Sequence, residues 1–237
     1  MKNILSEPLT DQFFANEFPG FNEPVTLADN VFDTHVPVVS MDLGIDVDRI
    51  CELARSLIIP QHNSPSYPYE DYPRMKDWGV NPIISDGTLH LWLEDVYYKK
   101  FGPKVPYREA KGTAKEIQDI LSSHGLNLRI CAIASFPSGG YVGPHRDIQL
   151  TPHPLCYFYL PLYYPKGSEL KIYPYGTVDI EVGKIYFMDQ QNYVHAARNL
   201  SDELRYVLIG FLNSDQINPE LTEKFTQAIR EQYTVIN

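Results

Sequence analysis

A chain of 237 residues with 43% hydrophobic and 13% aromatic side chains is an ordinary folded protein near the upper end of one compact domain, long enough to bury a sizeable core. Its formal net charge of −10 opposes broad binding to nucleic acid or to an anionic membrane surface, since both depend on clustered Lys and Arg. Cys51, Cys131 and Cys156 are widely spaced and form no Cys-x-x-Cys pair, which offers neither a disulfide framework nor a zinc knuckle. With no signal-like apolar run at the N-terminus and no stretch of roughly 18 apolar residues, a reduced, cytoplasmic setting without a membrane span is expected.

Residues 1 to about 44 are rich in Pro, Phe and acidic side chains without a sustained period, and read as an irregular arm with one short strand at His35 to Val39. From Asp46 to Ile58, Val47, Ile50, Leu53, Ala54 and Leu57 keep a helical spacing that Pro60 ends. From Gln61 to Asn81 the chain is polar, aromatic and proline-broken; a connection this long serves as a lid or binding loop, or packs as a plain surface loop. Thr88 to Phe101 is expected to be a second helix, with Leu89, Trp92, Leu93, Val96 and Tyr97 on one side and Gly102 as its stop. Thr113-Ala-Lys-Glu116 is a capping-box pattern that opens a third helix running to His124.

After Gly125 the texture changes to short β-type runs split by Gly and Pro, at Leu126 to Phe136, Leu155 to Tyr163, Glu169 to Tyr173, Thr177 to Val182, Lys184 to Met188 and Leu204 to Leu212. Six such runs at close spacing predict a sandwich or open barrel of jelly-roll type, and 17 tyrosines and 19 prolines suit a sheet-rich core. A last helix is expected from about Pro219 to Gln232, with Leu221, Phe225, Ala228 and Ile229 on one face. The expectation is one domain over 1–237: a mostly helical and irregular part (1–125), a jelly-roll core (126–213) and a C-terminal helix (214–237).

Within the core, Gly-Gly-Tyr-Val-Gly-Pro-His145-Arg-Asp147 places an imidazole and a carboxylate two positions apart, on one face of an extended strand. That is two donors toward a metal. Of the later histidines, His153 lies in a turn-like Thr-Pro-His-Pro, whereas His195 follows Tyr186-Phe187-Met188-Asp189, at the end of a strand able to fold back beside the first. Two His and one carboxylate on one face of an octahedron leave three positions open, the arrangement that suits non-haem Fe(II) enzymes. Ten positions beyond His195, Arg205 shares a strand face with Val207, Ile209 and Phe211. An arginine on an apolar face needs an anionic partner: a small dicarboxylate held bidentately, or a plain ion pair with Asp202 or Glu203.

His145-Arg-Asp147, His195 and Arg205, with Leu160-Pro-Leu162, Gly183-Lys-Ile-Tyr-Phe-Met-Asp189 and His195-Ala-Ala-Arg-Asn199, resemble the iron- and 2-oxoglutarate-dependent dioxygenases, most of all their aspartyl/asparaginyl β-hydroxylase and proline hydroxylase branch. The resemblance covers roughly Leu126 to Asn213. It implies a double-stranded β-helix (cupin-like jelly-roll), Fe(II) held by His145, Asp147 and His195, and Arg205 on the distal carboxylate of 2-oxoglutarate. It further implies hydroxylation of an unactivated C–H bond with O2, releasing succinate and CO2, on an amino acid, free or in a peptide. Because related halogenases lack the carboxylate ligand, Asp147 implies hydroxylation over halogenation. The chain departs from the family where an Arg-x-His pair is typical: Tyr157-Phe158-Tyr159 stands there, so Tyr157 and Tyr159 become candidate carboxylate donors. The competing reading is a non-catalytic jelly-roll that binds a small ligand or partner, or a dioxygenase acting on another small molecule.

Overall fold

The computed structural model describes residues 5–6, 36–58, 75–76, 79–87, 90–95, 98–104, 107–147, 156–173, 175–212 and 217–233; for 5–6, 75–76, 90–95, 98–104, 146–147 and 156 it describes the backbone alone. Most of the expected arm and of the 61–81 connection, and His153, lie outside the described residues, as do the side chains of Trp92 and Arg146.

In chain order the elements are β1 (Leu5–Ser6), β2 (Val38–Met41), α1 (Val47–Arg55), β3 (Met75–Lys76), β4 (Gly79–Ser85), β5 (His90–Asp95), β6 (Tyr98–Lys104), α2 (Thr113–Ser123), β7 (Leu128–Phe136), β8 (Tyr141–Asp147), β9 (Cys156–Tyr163), β10 (Ser168–Ile172), β11 (Gly176–Val178), β12 (Ile185–Met188), β13 (His195–Asn199), β14 (Arg205–Leu212) and α3 (Pro219–Gln232). They form two antiparallel sheets. One has the order β1-β11-β10-β13-β8-β5-β6, with β3 also on β8; the other has the order β2-β12-β9-β14-β7-β4. From β7 to β14 the chain changes sheet at every connection but the β10–β11 turn. Such winding is a double-stranded β-helix, and its two open ends are where loops can build a site.

The β2–β12–β9–β14–β7–β4 sheet is buried on both faces because its strands alternate two apolar sets. Tyr159, Val207 and Phe211 point into the barrel, toward Leu170 and Ile172 of the opposite sheet. Phe158, Leu160 and Leu208 point outward onto Ile50, Ile117, Leu121 and Phe225 of the three helices. Each fully buried side chain of this size contributes about 1.5–3 kcal/mol. At the centre, Gly210 lets β7 approach: a Cβ there would meet the Ile130 carbonyl oxygen at 2.2 Å. Tyr206 ties α1 to the sheet by accepting from Arg55 Nε at 2.8 Å.

Among the described residues three helices form, at two of the three N-terminal places expected and at the C-terminal one. Asp46 caps α1 by accepting from Arg49 N at 2.9 Å. In α2 the capping box does not form: the N-cap is Gly112, with no side-chain hydrogen bond. Glu116 is instead engaged by Arg49, whose Nη2 lies 2.6 Å from its carboxylate. The larger correction concerns 88–101, where the structure has the β5–β6 hairpin, extended by pairing of Leu93 with Asp147 of β8. Leu89, Leu91 and Leu93 satisfy a period of two as well as a helical one, and the open edge of β8 decides between them.

Strand β2 closes one edge of the six-stranded sheet and is met by the end of α3. Ser40 N donates to Gln232 Oε1 (3.0 Å), Gln232 Nε2 donates to Ser40 O (2.7 Å), and the Tyr233 hydroxyl donates to Val38 O. Among the described residues no helix is long and apolar enough to cross a membrane.

Candidate functional site

The barrel brings His145 and His195 face to face. Rather than ending the strand of Tyr186 to Met188, His195 opens a strand of its own, β13, which pairs with β8 so that His195 lies opposite His145. Their ring centroids are 4.3 Å apart and tilted by 54°. Both rings are buried, 9% and 5% exposed. His145 Nδ1 lies 2.7 Å from Gly143 O and His195 Nδ1 lies 3.2 Å from Tyr193 O. A backbone carbonyl accepts only from N–H, so each ring carries its proton on Nδ1 and its acceptor lone pair on Nε2. The same two-residue step back along the chain does this twice. Burial, then the neighbouring His145, holds His195 well below the usual imidazole range, hence neutral at physiological pH, as a metal ligand must be.

Asp147 ends β8 two positions beyond His145; its side chain lies outside the described residues. Among the described residues no three His, Cys, Asp or Glu side chains gather. The third donor of the expected set thus rests on Asp147.

At the other end of the barrel lies Arg205, 0% exposed and among the largest fully buried side chains. Strand β14 turns it inward beside Phe136 of β7. Nη1 donates to Glu169 O and to Arg198 O, both at 3.2 Å, and Nη2 donates to the Tyr159 hydroxyl. The guanidinium lies 4.7 Å from the ring centres of Phe136 and Tyr164. Among the described residues no carboxylate pairs with it. The expected alternative, an ion pair with Asp202 or Glu203, does not form: Glu203 instead accepts from Tyr163 on the outer face, while Arg205 points inward. Arginine has five N–H donors. Three are bound, and the Nε–H is buried without a partner, which leaves that donor and one on Nη2 for an anion. Arg198, whose carbonyl holds Arg205, is three residues along β13 from His195, about 10 Å.

Of the two tyrosines expected nearby, Tyr159 touches Arg205 and Tyr157 packs edge-on against Phe211, with ring centres 5.3 Å apart. Burial raises the Tyr159 phenol above its ordinary value, partly offset by Arg205, so it stays a neutral donor.

Three contributors escaped sequence reasoning. Tyr164 and Phe136 sandwich the guanidinium, yet nothing in their sequence context distinguishes them from core aromatics. Asn199 was visible only as the last residue of the His195-Ala-Ala-Arg-Asn199 run, with no role of its own. It is 0% exposed: Nδ2 donates to Phe136 O (2.9 Å) and Glu203 O (2.6 Å), and Oδ1 accepts from Ser201 N (3.1 Å) and Ser201 Oγ (2.6 Å). It clamps the β13–β14 turn from which Arg205 emerges.

No family model and no curated protein matches the chain. Solved structures that it resembles include a prolyl-4-hydroxylase from Pseudomonas putida (13% identity over 75% of this chain and 92% of that one, TM-score 0.47). A 2OG-Fe(II) oxygenase family oxidoreductase from Burkholderia pseudomallei shares 15% identity over 91% and 97% of the two chains, TM-score 0.47. A cupin 2 conserved barrel domain protein from Salinispora arenicola shares 12% over 41% and 70%, TM-score 0.27. Overlaps this loose carry nothing about the chemistry of this chain, and the jelly-roll rests on its strand order.

Proposed function

We propose that the protein is an Fe(II)- and 2-oxoglutarate-dependent dioxygenase that hydroxylates an unactivated C–H bond of an amino acid, free or within a peptide. The observation that carries this reading is Arg205: a fully buried guanidinium with no carboxylate among the described residues and an orphaned Nε–H, in the same barrel as two histidines whose lone pairs are set on Nε2. An uncompensated buried charge costs several kcal/mol, so its retention favours a ligand that supplies the missing anion.

The residues fit the implied groups. His145 and His195, with Asp147, would hold iron, and Arg205 with Tyr159 would hold the distal carboxylate of 2-oxoglutarate. Iron and 2-oxoglutarate together supply the oxidation in which O2, the cosubstrate and a C–H bond yield succinate, CO2 and an alcohol. The chain's own work is positional. The Gly143 and Tyr193 carbonyls orient the imidazoles, the Arg198 and Glu169 carbonyls orient the guanidinium, and the Val207, Phe211, Leu170 and Ile172 interior keeps water from the reacting centre.

The test is anaerobic titration of Fe(II) and 2-oxoglutarate, with succinate measured across amino acids, short peptides and nucleosides. The expected result is a weak visible charge-transfer band that His195→Ala abolishes, and succinate release with one substrate class. If neither band nor succinate appears, the reading fails.

A further inference from the structure

The two carbonyls that hold Arg205 belong to a cross-strand pair whose side chains meet on the other face of the sheet. Glu169 of β10 lies directly opposite Arg198 of β13. Their neighbours Leu170 and Ala197 pack on the cluster inside the barrel, so by strand alternation Glu169 and Arg198 present their side chains outward. There Arg198 Nε donates to Glu169 Oε2 at 2.5 Å, and Lys171 Nζ, two positions along the same strand face, lies 3.6 Å from that oxygen. On the inner side of the same step, Arg205 Nη1 donates to Glu169 O and to Arg198 O, both at 3.2 Å. One step of the ladder thus carries a guanidinium on each face, the outer one locked to a carboxylate.

The place of this ion pair is specific. The other partners along the ladder are Ser168 with Asn199, Leu170 with Ala197, Lys171 with Ala196 and Ile172 with His195, and none of these can pair charges across the strands. The pair is also sheltered: the Glu169 and Arg198 side chains are 26% and 15% exposed, so water and salt weaken it less than an ordinary surface bridge. Nη1 can bond both carbonyls only while the two strands keep their separation and twist at this step, because hydrogen bonds already at 3.2 Å tolerate little further stretching. A charge-assisted bond across the strands, directly behind those carbonyls, resists such movement.

We propose that Glu169 and Arg198 are positioning residues for the cosubstrate: their ion pair on the outer face fixes the ladder step whose carbonyls aim the Arg205 guanidinium. The affinity for 2-oxoglutarate then depends on a carboxylate that the cosubstrate never touches. Metal binding does not, because each histidine is aimed by a carbonyl of its own chain segment. The inference rests on the dioxygenase reading for the identity of the anion.

Glu169→Gln keeps the size of the side chain and removes its charge. Fe(II) affinity is measured by equilibrium titration, and 2-oxoglutarate affinity on the anaerobic, iron-loaded protein. Metal-free protein carrying nitrogen-labelled arginine is followed by NMR, with the Arg205 side-chain signals assigned by their loss in Arg205→Met. The variant is expected to bind 2-oxoglutarate about tenfold more weakly, the lower end of what loss of an outer partner costs, with iron affinity unchanged. Its Arg205 Nη signals, separate in the wild type because Nη1 is held, should merge. Glu181→Gln, which breaks the surface pair with Lys184 (2.9 Å), should change none of these. Unchanged 2-oxoglutarate affinity in Glu169→Gln, an equal loss of iron and 2-oxoglutarate, Arg205 signals identical to the wild type, or the same losses in Glu181→Gln overturns the proposal. Wild-type protein that binds no 2-oxoglutarate overturns the dioxygenase reading, and the cosubstrate role of the pair with it.

Discussion

The two ends of the barrel are built in different ways. At the histidine end each imidazole is fixed by the carbonyl two residues before it on its own chain segment, so one short stretch carries both ligand and orienter. At the arginine end the guanidinium is fixed by groups from four other segments: Phe136 of β7, Tyr159 of β9, Glu169 of β10 and Arg198 of β13. A site of the first kind survives distortion of distant strands, while a site of the second kind exists only when the whole barrel has closed.

The largest expected effect probes the local end. His195→Ala should remove iron binding, a loss beyond the roughly 100-fold that deleting an outer-shell partner costs; equilibrium metal titration measures it, and 2-oxoglutarate affinity without metal should change much less. Next, Arg205→Met should weaken 2-oxoglutarate binding by about 100-fold with a small change in thermal stability, because removing a buried charge that lacks an anionic partner offsets the loss of its hydrogen bonds to Glu169 O, Arg198 O and Tyr159. A large loss of stability with unchanged cosubstrate affinity would make Arg205 a structural residue.

Asn199→Ala separates the ends further. It removes the hydrogen bonds from Nδ2 to Phe136 O and Glu203 O, each contributing about 0.5–1.5 kcal/mol, and should loosen 2-oxoglutarate while sparing metal affinity. Equal loss of both would erase the distinction drawn between the ends. The smallest effect is a pH dependence of the metal-free protein. Since His195 is held below its ordinary value of 6.5, the unfolded chain takes up a proton that the folded one refuses. Stability is therefore complete above about pH 6.5 and falls below it, by at most about 1.4 kcal/mol per pH unit from this group, until the folded value is reached. Denaturant midpoints of the wild type and His195→Gln, compared at two pH values, measure it.

The same contrast explains what could be read from the residues alone. His145, Asp147 and the face-sharing of Arg205 with Val207 and Phe211 follow from strand periodicity, which the sequence carries directly. That His195 lies opposite His145 is a matter of register, and it became visible only with β13 paired on β8. Tyr164, Phe136 and Asn199 are brought to Arg205 by closure of the barrel, so no local spacing marks them. The helix expected at 88–101 failed for a related reason: its apolar residues fit both periods, and pairing with the distant β8 settled the matter. The Thr113 cap was lost to Arg49, on another helix, which engages Glu116.

The contact of Gln232 with Ser40 has a consequence for the behaviour of the protein in solution. The outer rim of β2 presents the N–H and C=O of Ser40 and the C=O of Val38, the pattern that recruits a further strand and seeds edge-to-edge aggregation. A carboxamide supplies one donor and one acceptor, as a peptide unit does, so Gln232 answers Ser40 in the manner of a neighbouring strand without being one, and Tyr233 takes the remaining carbonyl. The last turn of α3 thereby occupies the positions on β2 that a further strand would need.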